Sequence, residues 1–390
     1  MHFTPHPKKQ RGIALITALI ITSIAISLAA TVMYRQQIHI RFSGNIAHME
    51  QAYLYANGME DWAGTFLQKS YKKHPNYDSL KDDWAVLLPP IPIPGGVMNG
   101  QLFDLQARIN LNSLVREPIR VRNPNNANNS NNQNSSNNTR RRNPNRQGNP
   151  NQNPNNRQQQ TIDIAKITRD RLTFLMRNTI DPDEDMGPSE NFSDIVKDWI
   201  DKDQTNGNHT PQGAGSGFGA ESPFYQSQEK PYFSADTLLA SPTELRLLKN
   251  MNKKVYAKLI DDQFINTLPI KEKTTININT AKEEVLKAIG FRGQTVTNIV
   301  KEREVEPFKN IQTFLDFDDV RLDLDPANLT GHLSREDLDV KSSYFLLQGM
   351  VRINHARIFV NSILHRKNGK VSVIMRDFSN PQKIKTAKKN

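Results

Sequence analysis

Residues 13–33 read IALITALIITSIAISLAATVM, and this stretch determines where the fold begins. It contains no charged residue, and at about 1.5 Å of rise per residue a helix of this length crosses a hydrocarbon core of about 30 Å. The apolar part of a cleaved secretory signal is shorter, at about 7–15 residues. The stretch therefore predicts a membrane-spanning helix.

The charges beside this segment indicate its orientation. Lys8, Lys9 and Arg11 precede it, and basic residues favour the cytoplasmic side of a membrane. Arg35 and Arg41 follow it and weaken that preference. We expect a single-pass protein whose amino terminus is cytoplasmic and whose bulk lies on the other side.

The helical pattern continues beyond the apolar segment. Apolar residues recur at steps of three and four as far as Pro75, which predicts one helix of about sixty residues. From residue 34 to 74 the pattern is amphipathic, so we expect this half to pack against a globular domain. Its apolar positions are Ile38, Ile40, Phe42, Ile46, Met49, Ala52, Tyr53, Ala56, Met59, Trp62, Ala63, Phe66 and Leu67.

The composition of the 390-residue chain excludes several classes of protein. It contains no cysteine, which excludes disulfide scaffolds, thiol nucleophiles and cysteine metal clusters. The net charge of +11 comes from residues 1–12, 116–160 and 380–390, which carry +3, +7 and +4, so the rest of the chain is slightly acidic. A basic nucleic-acid-binding domain is therefore not indicated.

The residues before the apolar helix form a recognisable leader. Lys8-Lys9-Gln10-Arg11-Gly12, followed by an apolar helix from Ile13, resembles the cleavage site of type IV prepilin-like proteins. The resemblance implies that a prepilin peptidase cleaves between Gly12 and Ile13 and methylates the new amino terminus. A glycine suits this position because a residue without a side chain can enter a narrow peptidase groove.

Thr17 departs from the usual pattern of these proteins. Most members have a glutamate as the fifth residue after the cut, where it is thought to pair with the amino terminus of the neighbouring filament subunit. A carboxylate in lipid is costly unless it is paired. Absence of the glutamate is typical of the K-type minor pseudopilin of type II secretion, which lies at the filament tip. We therefore interpret Thr17 as a tip-placement position.

Further motifs resemble the K-type family, and they occur in the family's order. They are Asp82-Asp83-Trp84-Ala85, residues 89–114 (PPIPIPGGVMNGQLFDLQARINLNSL), residues 197–203 (KDWIDKD), Gly219-Ala220-Glu221 with Tyr225, Pro231-Tyr232, Glu244-Leu245 and residues 276–281 (ININTA). The resemblance implies a minor pseudopilin that initiates or caps the pseudopilus at its tip. It also implies an inner-membrane location, with the bulk of the chain in the periplasm.

The resemblance also implies particular partners. They are the I-type and J-type minor pseudopilins, other pseudopilins and the prepilin peptidase, and we expect Met49, Tyr53 and Trp62 to form the helix face that meets a partner. The chain contains no HExxH motif and no Walker lysine, and the glycines around Ser216 do not form a nucleophile elbow. We therefore predict that the protein is not an enzyme.

The expected fold is α+β, with a pilin-like long helix packed on an antiparallel sheet and a large, mostly helical domain inserted between strands. Val97–Leu111, Val351–Leu364 and Val371–Phe378 alternate as half-buried strands do, and Asn368-Gly369 is a hairpin signal. The pseudopilin domain is expected at 75–113 and 342–378, the insert at 114–341 and a basic tail at 379–390. Residues 123–160 contain 17 Asn and 6 Gln, and this composition predicts disorder.

Four acidic residues form a candidate metal site. Asp198, Asp201 and Asp203 precede a glycine-rich loop that ends at Glu221, and Ca²⁺ needs six to eight oxygen ligands from such loops. Their spacing is not that of an EF-hand, and taken alone it favours a solvated acidic loop over a metal site. The K-type resemblance implies structural Ca²⁺ here, although Ser222 stands where the family commonly has another acid.

Residues 276–303 resemble a helix-hairpin-helix, with Asn279 or Thr280 as the expected cap of the first helix. In DNA-binding versions, the amides of the hairpin contact phosphate. The alternative function is therefore a membrane-anchored DNA-uptake protein that uses this hairpin and the Arg-rich tract. The balanced charge of the segment and its longer hairpin, Gly290-Phe291-Arg292-Gly293, favour a structural role without nucleic acid.

Overall fold

The computed structural model describes residues 13–87, 89–121, 160–180, 191–203, 219–271, 274–324 and 333–379. The predicted leader with Gly12, the Asn/Gln-rich tract except Gln160, the glycine-rich loop at 204–218 and the basic tail except Ser379 lie outside the described residues. Those predictions are therefore not addressed by the fold.

The described residues form nine α-helices and eleven strands. The helices are α1 (Ile13–Lys73), α2 (Ile164–Thr179), α3 (Phe192–Ile200), α4 (Ser222–Gln226), α5 (Lys253–Asp261), α6 (Glu283–Ile289), α7 (Gly293–Val305), α8 (Ile311–Leu315) and α9 (Asp318–Asp323). The strands are β1 (Ile91–Ile93), β2 (Gly96–Asp104), β3 (Ile109–Asn110), β4 (Ile119–Val121), β5 (Gln160–Ile162), β6 (Ile265–Asn266), β7 (Ile276–Asn277), β8 (Leu338–Asp339), β9 (Tyr344–Ile353), β10 (Ala356–Lys367) and β11 (Lys370–Asp377).

Helix α1 is one continuous helix of 61 residues, as the sequence predicts. It ends two residues before Pro75, because the residue that precedes a proline is disfavoured in the helical region. Within the described chain it is the one helix long and apolar enough to cross a membrane, and its most apolar window is entirely exposed. Burial begins only at Ala52, so the amphipathic half meets the globular domain nearly halfway along its length rather than at its start.

A five-stranded antiparallel sheet has the order β1-β2-β9-β10-β11. The turn between β10 and β11 is the predicted Asn368-Gly369 hairpin, with φ of 50° and 76° at the two residues. The predicted strand Val351–Leu364 is in fact two strands, because the chain turns at Asn354 with a φ of 49°.

The strand predicted over Val97–Leu111 stops at Asp104. The carboxylate of Asp104 accepts a hydrogen bond from the backbone N–H of Gln106, at 2.8 Å, and a short 3₁₀ turn follows. This local hydrogen bond turns the chain, so the hydrogen bonds between β2 and β9 do not continue beyond Asp104. The apolar alternation continues through the turn, so it did not reveal the end of the strand.

Helix α1 packs across one face of the sheet through a very close contact. Gly100 of β2 and Gly349 of β9 are paired across the two strands. A Cβ atom at these positions would lie 2.5 Å and 2.3 Å from the Cε of Met59, so Met59 occupies a gap that two missing side chains provide. The core formed here includes Ala52, Ala56, Ala63, Leu67, Trp84, Leu102, Phe345, Leu347, Val351, Ile353, Val360 and Leu364.

The insert leaves the sheet at the end of β2 and returns at β9, which is the neighbour of β2 in the sheet. Its mostly helical elements surround the larger apolar core of the molecule, which also includes Ile109, Leu111 and Leu114. The core of the insert therefore begins a few residues before the expected boundary at residue 114. The fold class is α+β, with a long helix on an antiparallel sheet and a helical insert.

A buried ion pair joins the segment after α1 to the sheet. Arg366 of β10 and Asp78 are 1% and 0% exposed, and the two groups approach to 2.5 Å. Arg366 also donates to the carbonyl of Ser342 at 2.8 Å, so one guanidinium connects three segments of the chain. Burial raises the pKa of Asp78, and the Arg366 charge opposes that rise.

We expect Arg366→Met to destabilise the protein strongly, because it leaves the Asp78 carboxylate buried without its cation. The expected loss in free energy of unfolding is about 3–5 kcal/mol, measured by urea unfolding with tryptophan fluorescence. Arg321→Met is the control, since its pair with Asp318 is 72% and 90% exposed and such pairs contribute at most about 1 kcal/mol. Equal losses in the two variants would contradict this account.

Candidate functional site

Two helices bring the predicted acidic residues together. Helix α3 ends at Ile200, and Asp201 is its C-cap residue, so Asp201 and Asp203 lie just beyond the helix end. Glu221 is the N-cap residue of α4. The ring of Trp199 in α3 packs against Tyr225 in α4 at 5.0 Å, which fixes one helix against the other.

The geometry joins three of the four predicted residues. One carboxylate oxygen from each of Asp201, Asp203 and Glu221 lies within 4.8 Å of the others. Asp198 is fully buried on α3 but is not part of this triad. Its Oδ2 lies 1.6 Å from where a Cβ at residue 219 would be, so only Gly219 allows the loop to approach this carboxylate.

Ser222 and Asp236 lie beside the carboxylate triad. The Ser222 hydroxyl is 2.6 Å from that of Ser234, which in turn donates to Asp236 at 2.6 Å. Ser222 is thus engaged in a hydroxyl–carboxylate chain. Asp236 could not be identified from the sequence, because it lies fifteen positions after Glu221 in a segment with no regular spacing.

Burial and like charge dominate the electrostatics. The pKa of Glu221 is raised to about 8, first by burial and then by Asp198, Asp201, Asp203 and Asp236. The pKa of Asp201 is also raised, again first by burial and then by Asp203, whereas Lys197 lowers it. Both carboxylate oxygens of Glu221 are buried and accept no hydrogen bond within the described chain.

The residues fit a hard divalent cation. Carboxylate oxygens from two segments converge, and a cation between them would remove the repulsion that raises the pKa of Glu221. The two unsatisfied oxygens of Glu221 are an acceptor pair of the kind that such a cation binds. The described residues offer three side chains, so further oxygen ligands would have to come from backbone carbonyls or from water.

Thr17 lies on the apolar part of α1. Its hydroxyl can donate to the carbonyl of Ile13 at 3.1 Å or of Ala14 at 3.0 Å. These bonds satisfy the hydroxyl within its own helix, which is how a threonine is accommodated in an apolar environment. The described membrane segment from Ile13 to Met33 thus presents no charge and no unsatisfied hydroxyl at this position.

The three residues predicted for the partner helix face do not share one side of α1. At about 100° per residue, the nine positions from Tyr53 to Trp62 place them on opposite sides of the helix. Tyr53 is 44% exposed and its ring lies 5.2 Å from Phe378. Trp62 is half-buried and its ring lies 4.5 Å from Phe66. Met49 is 46% exposed and lies on the Tyr53 side.

The predicted helix-hairpin-helix forms from α6 and α7, with Gly290 at a φ of 117° between them. The expected caps are wrong, because Lys282 is the N-cap residue of α6. The Thr280 hydroxyl instead donates to Asp104, and the Asn279 amide donates to the carbonyl of Phe308. Both side chains are used to join segments that are distant in sequence.

The tip of this hairpin already holds an acidic group. The backbone N–H of Arg292 donates to the carboxylate of Asp323 at 2.9 Å, and the Arg292 side chain contacts the same carboxylate. In a DNA-binding hairpin, such an amide would contact a phosphate. Here a carboxylate of the same chain occupies this amide, so the hairpin has a structural role in the fold.

The fold and its surfaces define a class of protein, the pilin-like proteins, in which a long apolar amino-terminal helix carries an antiparallel sheet on its second half. A family model described as type II secretion system (T2SS), protein K, matches residues 107–261. The resemblance of this chain to the type II secretion system protein K family is thereby confirmed, by the family model over that segment and by relatives with the same description.

Individual relatives cover nearly the whole chain. The type II secretion system protein K of Pseudomonas aeruginosa is 28% identical over 94% of this chain and 92% of its own length. That of Aeromonas hydrophila is 24% identical, over 95% and 98%. A chain from the crystal structure of the GspK-GspI-GspJ complex of the enterotoxigenic Escherichia coli type 2 secretion system has the same fold, with a TM-score of 0.61 and 20% identity over 89% of this chain and 100% of that chain.

We expect Glu221 to make stability depend on pH when divalent metal is chelated. Its ordinary pKa is 4.5 and that in the folded protein is about 8, so the folded state retains a proton that the unfolded chain has released. Stability therefore falls as the pH rises from about 4.5 to about 8. Glu221→Gln removes this contribution, and its melting temperature in chelator should decline less over that range.

Glu284→Gln is the matched control, because this carboxyl lies exposed on α6. Its pH profile should follow that of the unmodified protein. A Glu221→Gln profile that declines as steeply as both of them would show that Glu221 does not retain its proton.

Proposed function

We propose that this protein is a minor pseudopilin at the tip of the type II secretion pseudopilus, where it initiates or caps assembly of the filament for protein export. The observation that carries the proposal is that a protein K family chain has an uncharged membrane helix, with Thr17 hydrogen-bonded to its own backbone. A subunit without a carboxylate at this position has no side chain to pair with the amino terminus of a subunit above it. The tip is the one place in a filament where no such subunit exists.

The proposed partners are the I-type and J-type minor pseudopilins, together with other pseudopilins of the filament. Support comes from the structural neighbour, which is described as part of a complex of GspK, GspI and GspJ. The exposed apolar side chains of α1 between Tyr34 and Leu54 provide the contact surface. Because Tyr53 and Trp62 lie on opposite sides of α1, the helix can meet two different partners at the same time.

The proposed location is the inner membrane, with residues 13–33 in the bilayer, the amino terminus in the cytoplasm and the domains in the periplasm. The basic leader and the exposed apolar half of α1 support this orientation. The prepilin peptidase would cleave between Gly12 and Ile13 and methylate Ile13. We assign no catalytic function to the protein itself.

The proposed ligand of the acidic site is structural Ca²⁺, held by Asp201, Asp203 and Glu221 with Asp198 close behind them. The role follows from its place in the fold, since the ion would join the end of α3 to the start of α4. Bound Ca²⁺ would therefore rigidify the insert rather than take part in a reaction.

Cleavage of the leader by the prepilin peptidase gives the first test of the proposal. Replacing Gly12 with a bulky residue, as in Gly12→Leu, should leave the leader attached, because a side chain at the scissile position blocks the narrow groove of the peptidase. Gly44→Leu in α1 is the control, because no described atom lies near an added side chain there. Mass spectrometry of the amino terminus should find methylated Ile13 in the unmodified protein and in the control. Met1 on the assembled unmodified protein would contradict cleavage.

Calcium should raise the melting temperature of the purified protein. The ion binds the folded carboxylate cluster and not the unfolded chain, so excess Ca²⁺ shifts the equilibrium towards the folded state. Glu221→Gln should lose most of this increase, while Glu284→Gln should keep it. Identical melting curves of the unmodified protein in excess Ca²⁺ and in chelator would remove the calcium site.

The tip assignment is tested at Thr17. Thr17→Glu places a carboxylate in lipid with no subunit above to pair with it, at a cost of several kcal/mol, so secretion and assembly should not improve. The measurement is the amount of the variant in sheared pseudopili and the amount of exported protein. Abundant incorporation along the filament together with better secretion would contradict tip placement.

A companion variant separates placement from partner binding. Met49→Glu puts a charge on an exposed apolar position of α1 outside the bilayer, so it should reduce co-purification of the I-type and J-type pseudopilins. Thr17→Glu lies far from that surface and should leave co-purification unchanged as long as the protein remains in the membrane.

A further inference from the structure

A large cleft separates the sheet from the inserted domain. It lies on the sheet face opposite α1, has a volume of about 680 Å³ and is the size of a typical ligand pocket. Because side chains alternate along β2, Gly100 and Leu102 face α1 whereas Asn99, Gln101 and Phe103 face the cleft. The opposite wall comes from the insert, through residues of α5 and of the 3₁₀ turn at 242–247.

Arg108 lines this cleft, and its guanidinium is buried. The residue is only 7% exposed, and its buried Nε donates no hydrogen bond within the described chain. No ion pair with a described residue holds it. Burial lowers its pKa to about 10, and the charge of Asp104 opposes that fall. A buried cation with an unused donor is costly, and an anion that enters the cleft would offset that cost.

A second unsatisfied group lines the same cleft. The Oδ1 atom of Asn99 is buried and accepts no hydrogen bond within the described chain. The cleft thus offers one donor that favours a carboxylate and one acceptor that favours an N–H group. Apolar side chains also line the cleft, including Phe103, Leu346 and Ile363. An extended peptide has this combination, because it presents backbone N–H groups, apolar side chains and a carboxylate on one strand.

The charged residues of the cleft narrow the choice of ligand. Asp261, Asp262 and Asp377 line it together with the basic residues Arg108, Arg246 and Lys282. The lining therefore carries no net charge and does not favour a ligand with many negative charges, such as a nucleic acid. A ligand with one carboxylate directed at Arg108 matches this balance. We propose that this cleft is a binding site for an extended peptide segment of another protein, which it recognises through a single acidic group held by Arg108 and a backbone N–H held by Asn99.

The test uses the full chain in lipid nanodiscs and two pools of fluorescein-labelled heptapeptides. In the first pool each peptide has one central aspartate among uncharged, largely apolar residues, and in the second an asparagine replaces that aspartate. Fluorescence anisotropy should show saturable binding of the first pool. We expect an affinity for the second pool that is lower by about tenfold or more, because a hydrogen bond to a charged group is lost.

Variants then assign the effect to Arg108. Arg108→Met should bring the affinity for the aspartate pool down to that for the asparagine pool, and Arg108→Lys should restore part of the difference. Arg116→Met is the matched control, since Arg116 lines the smaller cavity on the other side of Arg108 but not the cleft. Melting temperatures of all variants show whether each one folds, and the comparison of the two peptide pools requires no variant.

Several results would overturn the proposal. They are equal binding of the two pools, undiminished binding by a folded Arg108→Met variant, and no binding of either pool. Binding of decanoate without binding of peptide would replace the peptide with a lipid-like acid. Binding of peptides only after removal of residues 380–390 would make the chain's own tail the occupant of the cleft.

Discussion

One buried carboxylate, Asp104, connects the sheet to the inserted domain and to the segment that leads back into the sheet. It accepts hydrogen bonds from Thr280 at 2.5 Å, from Ser342 at 2.6 Å and from Asn277 at 3.1 Å. Asp104 ends β2, Asn277 and Thr280 belong to one segment of the insert, and Ser342 lies in the segment before β9. Complete burial raises the pKa of Asp104 to about 6, and the hydrogen bonds from Ser342 and Thr280 oppose that rise. The insert is therefore attached to the sheet by the hydrogen bonds of this buried cluster and not by apolar packing alone. We call the cluster of Asp104, Asn277, Thr280 and Ser342 the polar joint.

The joint continues into the ion pair of Arg366 and Asp78. The backbone N–H of Ser342 donates to Asp78 at 2.8 Å, and Asn277 donates to the carbonyl of the same residue at 3.2 Å. The long helix, the sheet and the insert thus meet at one buried point, although these residues are up to 288 positions apart. Groups buried at this depth must satisfy one another, so the arrangement tolerates little relative movement of the three parts.

The features that the sequence predicted depend on neighbouring residues, and those that it missed depend on distant ones. Helix α1 and the Asn368-Gly369 turn follow from local periodicity and from the φ preferences of two residues. The end of β2 could not be predicted, because Asp104 turns the chain while the apolar alternation continues. The caps expected at Asn279 and Thr280 were wrong for the same reason: both side chains have partners in other segments. At the acidic site the sequence indicated the residue types, but only the contact between α3 and α4 selects which three carboxylates meet.

The fit of Met59 between Gly100 and Gly349 has a mechanical consequence. At about 1.5 Å per residue, the 61 residues of α1 form a rod of about 90 Å, of which the part before Ala52 makes no buried contact. A pull on the membrane end of that rod reaches the sheet as shear along the helix axis. The Met59 side chain fills the space beside Gly100 of one strand and Gly349 of the other, so it resists sliding of the helix along the sheet. Through Met59, force applied in the bilayer therefore reaches β2 and β9, and through the ion pair of Glu60 with Arg376 it also reaches β11.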